Sequence, residues 1–360
     1  MKDNHGANIF ELSRKYNFNP KEILDFSSNI NPLGTSKRAL QYLKDNLELV
    51  SAYPDSKYYA LKEEISKFTS ADQSDIFLGS GTTQLIREYT ALVKPKKAML
   101  FSPCYSEYEN ELKKHNSKIY FYNLSEENNF EVDVDNLILT VNTEKIELLT
   151  FANPNNPTGT ILSREQIEKI LSSTDVKLLL DETYVEFTNK NNFSSIPLTK
   201  KYKNLFVIRG VSKFFAAPGI RLGYGITSDE DSKMKLNENS MLWGINIFAD
   251  LMGRVMFSDS KYQSDVFEFI KRERNYLLRE LSSMPEIKVF KSEGNFILCK
   301  ILTDAAAHDL REHLLTKAMV IRDCSSFKNL NEKYFRFCIL NEEDNKKLIA
   351  EIKKFFNKAD

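Results

Sequence analysis

Between residues 76 and 226 the chain alternates short apolar runs with longer amphipathic stretches. Seven runs have strand length: 76–78, 98–101, 118–122, 148–152, 177–180, 205–208 and 222–226. Short apolar runs bounded by turn residues read as buried strands. Between several of them the apolar period becomes helical, over 82–93, 105–115 and 163–171, and Ser163 with Gln166 supplies a capping box for the last. This alternation predicts an α/β architecture: a three-layer α/β/α domain around a mostly parallel seven-stranded sheet. After residue 228 the pattern changes. Helical stretches at 229–239, 244–257 and 261–284 come first. Short strands (288–290, 296–301, 319–321, 334–339) then alternate with helices (304–317, 342–356), which predicts a smaller α+β domain. The expected organisation is an arm over 1–30 that packs with the small domain or a partner subunit, a large domain over 31–245 and a small domain over 246–360. No Gly/Ser-rich linker separates them, so an extensive interface is expected.

Composition narrows the function. The 360 residues hold 50 Lys+Arg against 50 Asp+Glu, so the basic excess typical of a nucleic-acid binder is missing. No apolar run approaches the ~18 residues of a membrane span, and the amino terminus has no apolar stretch of signal-peptide length. The expectation is a cytoplasmic protein with no membrane or nucleic-acid partner. The four cysteines (Cys104, Cys299, Cys324, Cys338) form no CxxC pair, and His308 and His313 stand five apart, off a common helix face. Reduced thiols and no metal site are expected.

Chemistry is concentrated after the strands, where open α/β sheets bind their ligands. The run 76–78 enters GSGTTQ (Gly79 to Gln84) and then a helix. Glycines let backbone approach an anion, and a helix start presents free N–H groups, although a turn capped by Thr accounts for the string equally well. The run 148–152 enters NPNNPTG (Asn153 to Gly159), which a surface turn also explains. The run 177–180 ends in Asp181-Glu182-Thr183-Tyr184. A carboxylate at the end of a buried strand needs a partner, either a salt bridge or a cationic ring nitrogen, and Tyr184 can reach the same place. The run 205–208 leads to Ser212, Lys213 and, eight residues on, Arg221. Apolar neighbours lower a lysine pKa and leave neutral amine to condense with an aldehyde, unless the loop is solvated. Ser212 and Arg221 are candidate anion donors. A ligand with a phosphate, a ring nitrogen and an aldehyde satisfies all four segments, and pyridoxal phosphate has all three.

The ordered set GSGTTQ, PCY, NPNNPTG, DETY, SKFFAAPGIRLGY and YFRF resembles the fold-type I pyridoxal-phosphate enzymes of the class I/II aminotransferase group, across essentially the whole chain. The resemblance is greatest to the branch holding threonine-phosphate decarboxylases and histidinol-phosphate aminotransferases. It implies that Lys213 carries the cofactor and moves protons and that Asp181 pairs with the ring nitrogen. It further implies that Asn156 and Tyr184 bond the 3′ oxygen, that Tyr105 stacks on the ring, and that Gly81, Thr82, Ser212 and Arg221 hold the phosphate. Tyr53 is implied to reach that phosphate from a second subunit, hence a homodimer, and Arg336 to bind the substrate α-carboxylate.

Three segments resemble the decarboxylases in particular: His5-Gly6-Ala7-Asn8, LDFSSNINPLG (Leu24 to Gly34) and IRDCSSFKNL (Ile321 to Leu330). Ala7 and Asn329 stand where that family leads one to expect glycine. Decarboxylation and amino transfer share their first steps and differ in which substrate Cα bond is held ready to break, so anion-binding groups that orient a phosphorylated side chain decide between them. His5, Asn31 and Arg322 are the candidates, Arg322 because guanidinium grips phosphate in a fork. The expected reaction is decarboxylation of L-threonine O-3-phosphate, as in cobalamin side-chain assembly. The alternative is amino transfer of the histidinol-phosphate type. A ligand-sensing regulator on this fold, which needs a DNA-binding module ahead of it, is not expected, since the pattern starts almost at residue 1 and the charge is balanced.

Overall fold

The computed structural model describes residues 9–357. In chain order its strands are β1 Leu24–Asp25, β2 Ile76–Gly79, β3 Lys97–Ser102, β4 Lys118–Asn123, β5 Leu148–Ala152, β6 Lys177–Asp181, β7 Leu205–Gly210, β8 Gly223–Ile226, β9 Ile287–Val289, β10 Phe296–Ile301, β11 Met319–Val320, β12 Arg322–Asp323 and β13 Tyr334–Cys338. The seven runs expected before residue 228 all form strands and join in one sheet of order β2-β8-β7-β6-β5-β3-β4. The sheet is parallel except at β8, which pairs antiparallel with both β2 and β7.

The side-chain period of two divides each strand between two apolar layers. Leu178 and Leu180 of β6 and Val207 of β7 enter one layer with Val141, Ile167 and Ile170 of the covering helices. Leu179, Phe206 and Ile208 enter the other with Leu85, Ile86 and Leu112. A strand buried on both faces needs apolar residues in succession, and this is why β6 reads Lys-Leu-Leu-Leu-Asp. The result is the three-layer α/β/α arrangement. A four-stranded antiparallel sheet of order β12-β13-β10-β9 forms the smaller α+β part, and β1 pairs in parallel with β11. Among the described residues no helix is long and apolar enough to cross a membrane.

Some boundaries differ from the expectation for local reasons. The helix read over 244–257 is Ile247–Met256, because Asn246 caps it by accepting from the Ala249 N–H. The helix read over 304–317 is Ala307–Leu315, because Lys333 Nζ donates to the carbonyls of Thr303, Asp304 and Ala305 and holds them outside the helix. The run 319–321 is divided: β11 pairs with β1, and β12, one residue later, pairs with β13. Five helices lie outside the expected set: Ile9–Tyr16, Lys37–Lys44, Tyr59–Thr69, the short Lys190–Phe193 and Val134–Glu144. The last buries Val134, Leu137 and Val141, a helical period obscured by intervening Asp, Asn and Thr.

Gly225 of β8 lies against the Phe206 ring, and a Cβ there would stand 2.3 Å from its Cζ. Phe206 is fully buried and stacks on Tyr89 at 4.6 Å, so it has little room to yield. Gly225→Ala is expected to lower stability by about 2 kcal/mol through overpacking, read as a lower urea midpoint, with Phe206→Leu in the same chain recovering part of the loss.

Candidate active site

A cavity of about 450 Å³ opens beyond the carboxyl ends of the parallel strands, and it gathers most of the residues singled out above. Thr82, Tyr105, Asn156, Asp181, Tyr184, Ser212, Lys213, Arg221, Arg322 and Arg336 all line it. Gly81 immediately precedes Thr82 and is the N-cap of the helix Thr82–Val93.

The GSGTTQ turn is built to keep this floor open. Gly81 has φ +80°, and a Cβ on it would stand 2.3 Å from the Arg221 guanidinium. A Cβ on Gly223 would stand 2.8 Å from the Thr82 nitrogen. No side chain caps the helix, so the Thr-capped turn is not what forms; free N–H groups face the cavity beside Arg221, the arrangement that binds anions. Arg221 itself is oriented by the carbonyls of Pro218 (3.2 Å) and Ser80 (3.4 Å).

Asp181 ends β6 and is 5% exposed. Its carboxylate accepts from the Tyr108 hydroxyl at 2.8 Å and from the Thr183 N–H at 2.9 Å. No Lys or Arg among the described residues pairs with it, so the ordinary salt bridge is not its partner. Burial raises its pKa even though these hydrogen bonds oppose the rise. A cation arriving in the cavity would relieve that cost.

Lys213 faces the same space and donates to the Ser28 carbonyl at 2.6 Å. Burial, and then the neighbouring positive charge of Arg336, bring its amine down to about 8. It is not a solvated loop lysine.

In the NPNNPTG loop, Asn153 and Asn155 brace the turn. Asn153 bonds the Leu162 backbone, and Asn155 bonds the Pro103 carbonyl and Thr158. Asn156 faces the cavity, where its Oδ1 accepts from Arg336 at 2.5 Å. Arg336, 5% exposed, also donates to the Ser27 carbonyl at 2.6 Å, and its Nε is buried without a partner. Across the small sheet Arg336 stands directly opposite Arg322, which donates to Ser326 at 2.7 Å. Like charges facing each other on adjacent strands repel, so the pair favours an anion between them.

The structure does not bring every candidate to the cavity. Asn31 is buried elsewhere, its amide donating to the Phe214 carbonyl and the Tyr262 hydroxyl and its Oδ1 accepting from Leu33 N–H. Tyr53 is 76% exposed and stacks on Trp243 at 4.2 Å, off the cavity of its own chain. His5 lies outside the described residues. Other residues line the cavity that the sequence did not single out: Asn29, Tyr108, Thr183 and Lys328. Tyr108 lies in the first turn of the helix Ser106–Lys114, for which Tyr105 is the N-cap, and the two rings meet edge-on at 5.5 Å. Asn29 donates to the Tyr184 hydroxyl at 3.1 Å and keeps a buried Oδ1 without a partner. Nothing local marks Asn29, because its neighbours arrive from far along the chain.

A model of the family described as aminotransferase class I and II matches residues 21–352. A Caldanaerobacter subterraneus protein provisionally named a threonine-phosphate decarboxylase is 36% identical, over 99% of this chain and 94% of its own. The threonine-phosphate decarboxylase of Salmonella typhimurium is 30% identical, over 97% and 95%. The solved histidinol-phosphate aminotransferase of Clostridium acetobutylicum superposes with a TM-score of 0.87 at 32% identity, over 93% of this chain and all of that one. The chain belongs to the class I and II aminotransferase family.

The amine near 8 has a direct consequence. Lys213 gains neutral amine as pH rises through 8, whereas an exposed lysine does so only near 10.4. In competitive labelling with acetic anhydride, followed by peptide mapping, the Lys213 peptide is expected to reach half its maximal reactivity near pH 8, well below the exposed lysines. A midpoint with the bulk lysines would contradict the assignment.

Proposed function

We propose that the protein is a pyridoxal-phosphate enzyme that decarboxylates a phosphorylated amino acid, L-threonine O-3-phosphate. The observation that carries the cofactor reading is the shared cavity of Asp181 and Lys213: a buried carboxylate without a cation, and an amine held near 8, with no ion pair between them among the described residues. The residues fit the group. The cradle at Gly81 that a Cβ would fill, with Thr82, Ser212 and Arg221, suits its phosphate. Asp181 suits its ring nitrogen, Asn156 and Tyr184 its 3′ oxygen, Tyr105 its ring face and Lys213 its aldehyde. When bound, the cofactor supplies an electron sink for the pair released at the substrate Cα.

The chain's own groups do the rest. Arg336 binds the α-carboxylate, and Arg322 opposite it binds the side-chain phosphate, so the two orient the substrate by its ends. Lys213 accepts and returns a proton at Nζ, which its lowered pKa allows near neutral pH. Tyr184 keeps its proton because burial raises its pKa, and it stays a hydrogen-bond donor. The decarboxylase reading is supported by the relatives at 36% and 30% identity that bear that name. Amino transfer from histidinol phosphate to 2-oxoglutarate is the second reading, favoured by the 32% identity to the Clostridium acetobutylicum enzyme.

We further propose a homodimer in which Tyr53 serves the partner's site. Val50, Tyr53, Met241 and Leu242 are at least 60% exposed, and the Tyr53–Trp243 stack joins their two segments. An apolar patch of this kind marks an interaction surface.

Two measurements test these proposals. The cofactor-loaded protein is expected to release CO₂ from O-phospho-L-threonine and to make no glutamate from histidinol phosphate with 2-oxoglutarate; glutamate without CO₂ overturns the first reading in favour of the second. Light scattering is expected to give twice the 41.7 kDa chain mass, and Tyr53→Ala to weaken cofactor retention. A single-chain mass would end the dimer proposal.

A further inference from the structure

Glu126 lies far from the cavity's chemistry in sequence, in the segment that follows edge strand β4, yet it reaches the other sheet. Its Oε1 accepts from Lys288 Nζ at 3.0 Å, and its Oε2 accepts from Lys300 Nζ at 2.7 Å and from the Tyr334 hydroxyl. These three donors are not scattered. Lys288 pairs with Lys300, and Lys300 with Tyr334, so they form one row across β9, β10 and β13. One carboxylate therefore grips three strands at once.

The next row on that face holds the arginines. Arg336 is two residues beyond Tyr334 on β13, hence on the same face and roughly 7 Å along the strand, and Arg322 is its partner on β12. The contact is reinforced on both sides. Phe130 packs its ring on Phe290 at 5.0 Å and on Tyr334 at 6.2 Å. Asn329 donates to the Leu124 carbonyl at 2.8 Å, and Lys328 Nζ lies 3.3 Å from the Phe121 ring centre. Partial burial works against the charged form of Glu126, but hydrogen bonds from Lys300, Tyr334 and Lys288 outweigh it and hold the carboxyl at about 2. The clasp is thus charged throughout the neutral range.

We infer that Glu126 is a positioning residue: it fixes the small sheet on the edge of the large one and so sets where Arg322 and Arg336 stand relative to Lys213 and Asp181. The substrate-binding role of the arginines rests on the function proposed above. A salt bridge with only a general stabilising role would lower the melting temperature without selecting a kinetic constant. A positioning role raises KM.

The test uses cofactor-loaded enzyme. Glu126→Gln removes the charge and leaves Lys288 and Lys300 facing an amide. It is expected to raise KM for O-phospho-L-threonine about tenfold while changing kcat by less than about threefold. Glu126→Asp, too short to reach all three donors, is expected to fall between. Hydrogen–deuterium exchange is expected to quicken in 296–301 and 334–338 and to stay unchanged in 177–181. Lys300→Met breaks the clasp from the other side and must reproduce the shift, which keeps the test open if Glu126→Gln does not fold. An unchanged KM, or unchanged exchange in 334–338, overturns the inference. If the unaltered enzyme does not turn over the phosphorylated amino acid, the proposed reaction is wrong, and the exchange measurement alone decides the role of Glu126.

Discussion

Asp181 is held at the end of a strand buried on both faces, and a carboxylate there loses its hydration without gaining a cation. Such burial costs several kcal/mol if nothing compensates it. Tyr108 and Thr183 offset part of that cost with hydrogen bonds. The Lys213 amine, in the same cavity, is turned to the Ser28 carbonyl and does not neutralise it. Two groups of opposite appetite are thus kept apart by the packing of β6 and β7 between their apolar layers. The rest of the site depends on this separation, because it leaves each group a partner to find in a ligand.

The second half of the site has a different origin. Arg322 and Arg336 belong to the small sheet and face each other across it, while the GSGTTQ turn follows β2 of the large sheet. A ligand that spans the cavity meets both. The distance between the two halves is consequently a property of the contact between sheets. That contact is made by the loop after β4, by Asn329 and by the segment after β1, where Ser27 accepts from Arg336 while Asn29 donates to the Tyr184 hydroxyl and the Asn31 N–H to the Lys213 carbonyl. Asn329, which departs from the glycine the resemblance leads one to expect, has φ +69°. Asparagine tolerates this left-handed conformation better than most residues, and its side chain adds a hydrogen bond that glycine lacks.

Much of the fold was legible in the chain. Strands buried on both faces require unbroken apolar runs, as in β3, β5, β6 and β7, and seven apolar runs punctuated by Gly, Pro and Asn leave little choice of architecture. Helices with mixed polar sequence, such as Val134–Glu144, were not legible, because tertiary burial rather than intrinsic propensity maintains them. In the site, residues next to strand ends were recognisable from their setting. Lys213, Asp181, Asn156 and Arg221 belong to that group. Asn29 and Lys328 were invisible because long-range packing alone brings them in, and Asn31 was misplaced toward the cavity when its amide braces Phe214 and Tyr262.

By itself, then, the sequence determined the α/β framework, the family and the chemical character of each strand end, since local pattern and residue type suffice for these. Only the tertiary structure decided which groups share one cavity, which carboxylate lacks a cation, and which arginines oppose each other. The reason is that desolvation and charge pairing depend on distances between separate segments, from the neighbouring strands of Arg322 and Arg336 to Arg336 and the Ser27 carbonyl 309 residues away, and those distances exist only once the chain is packed.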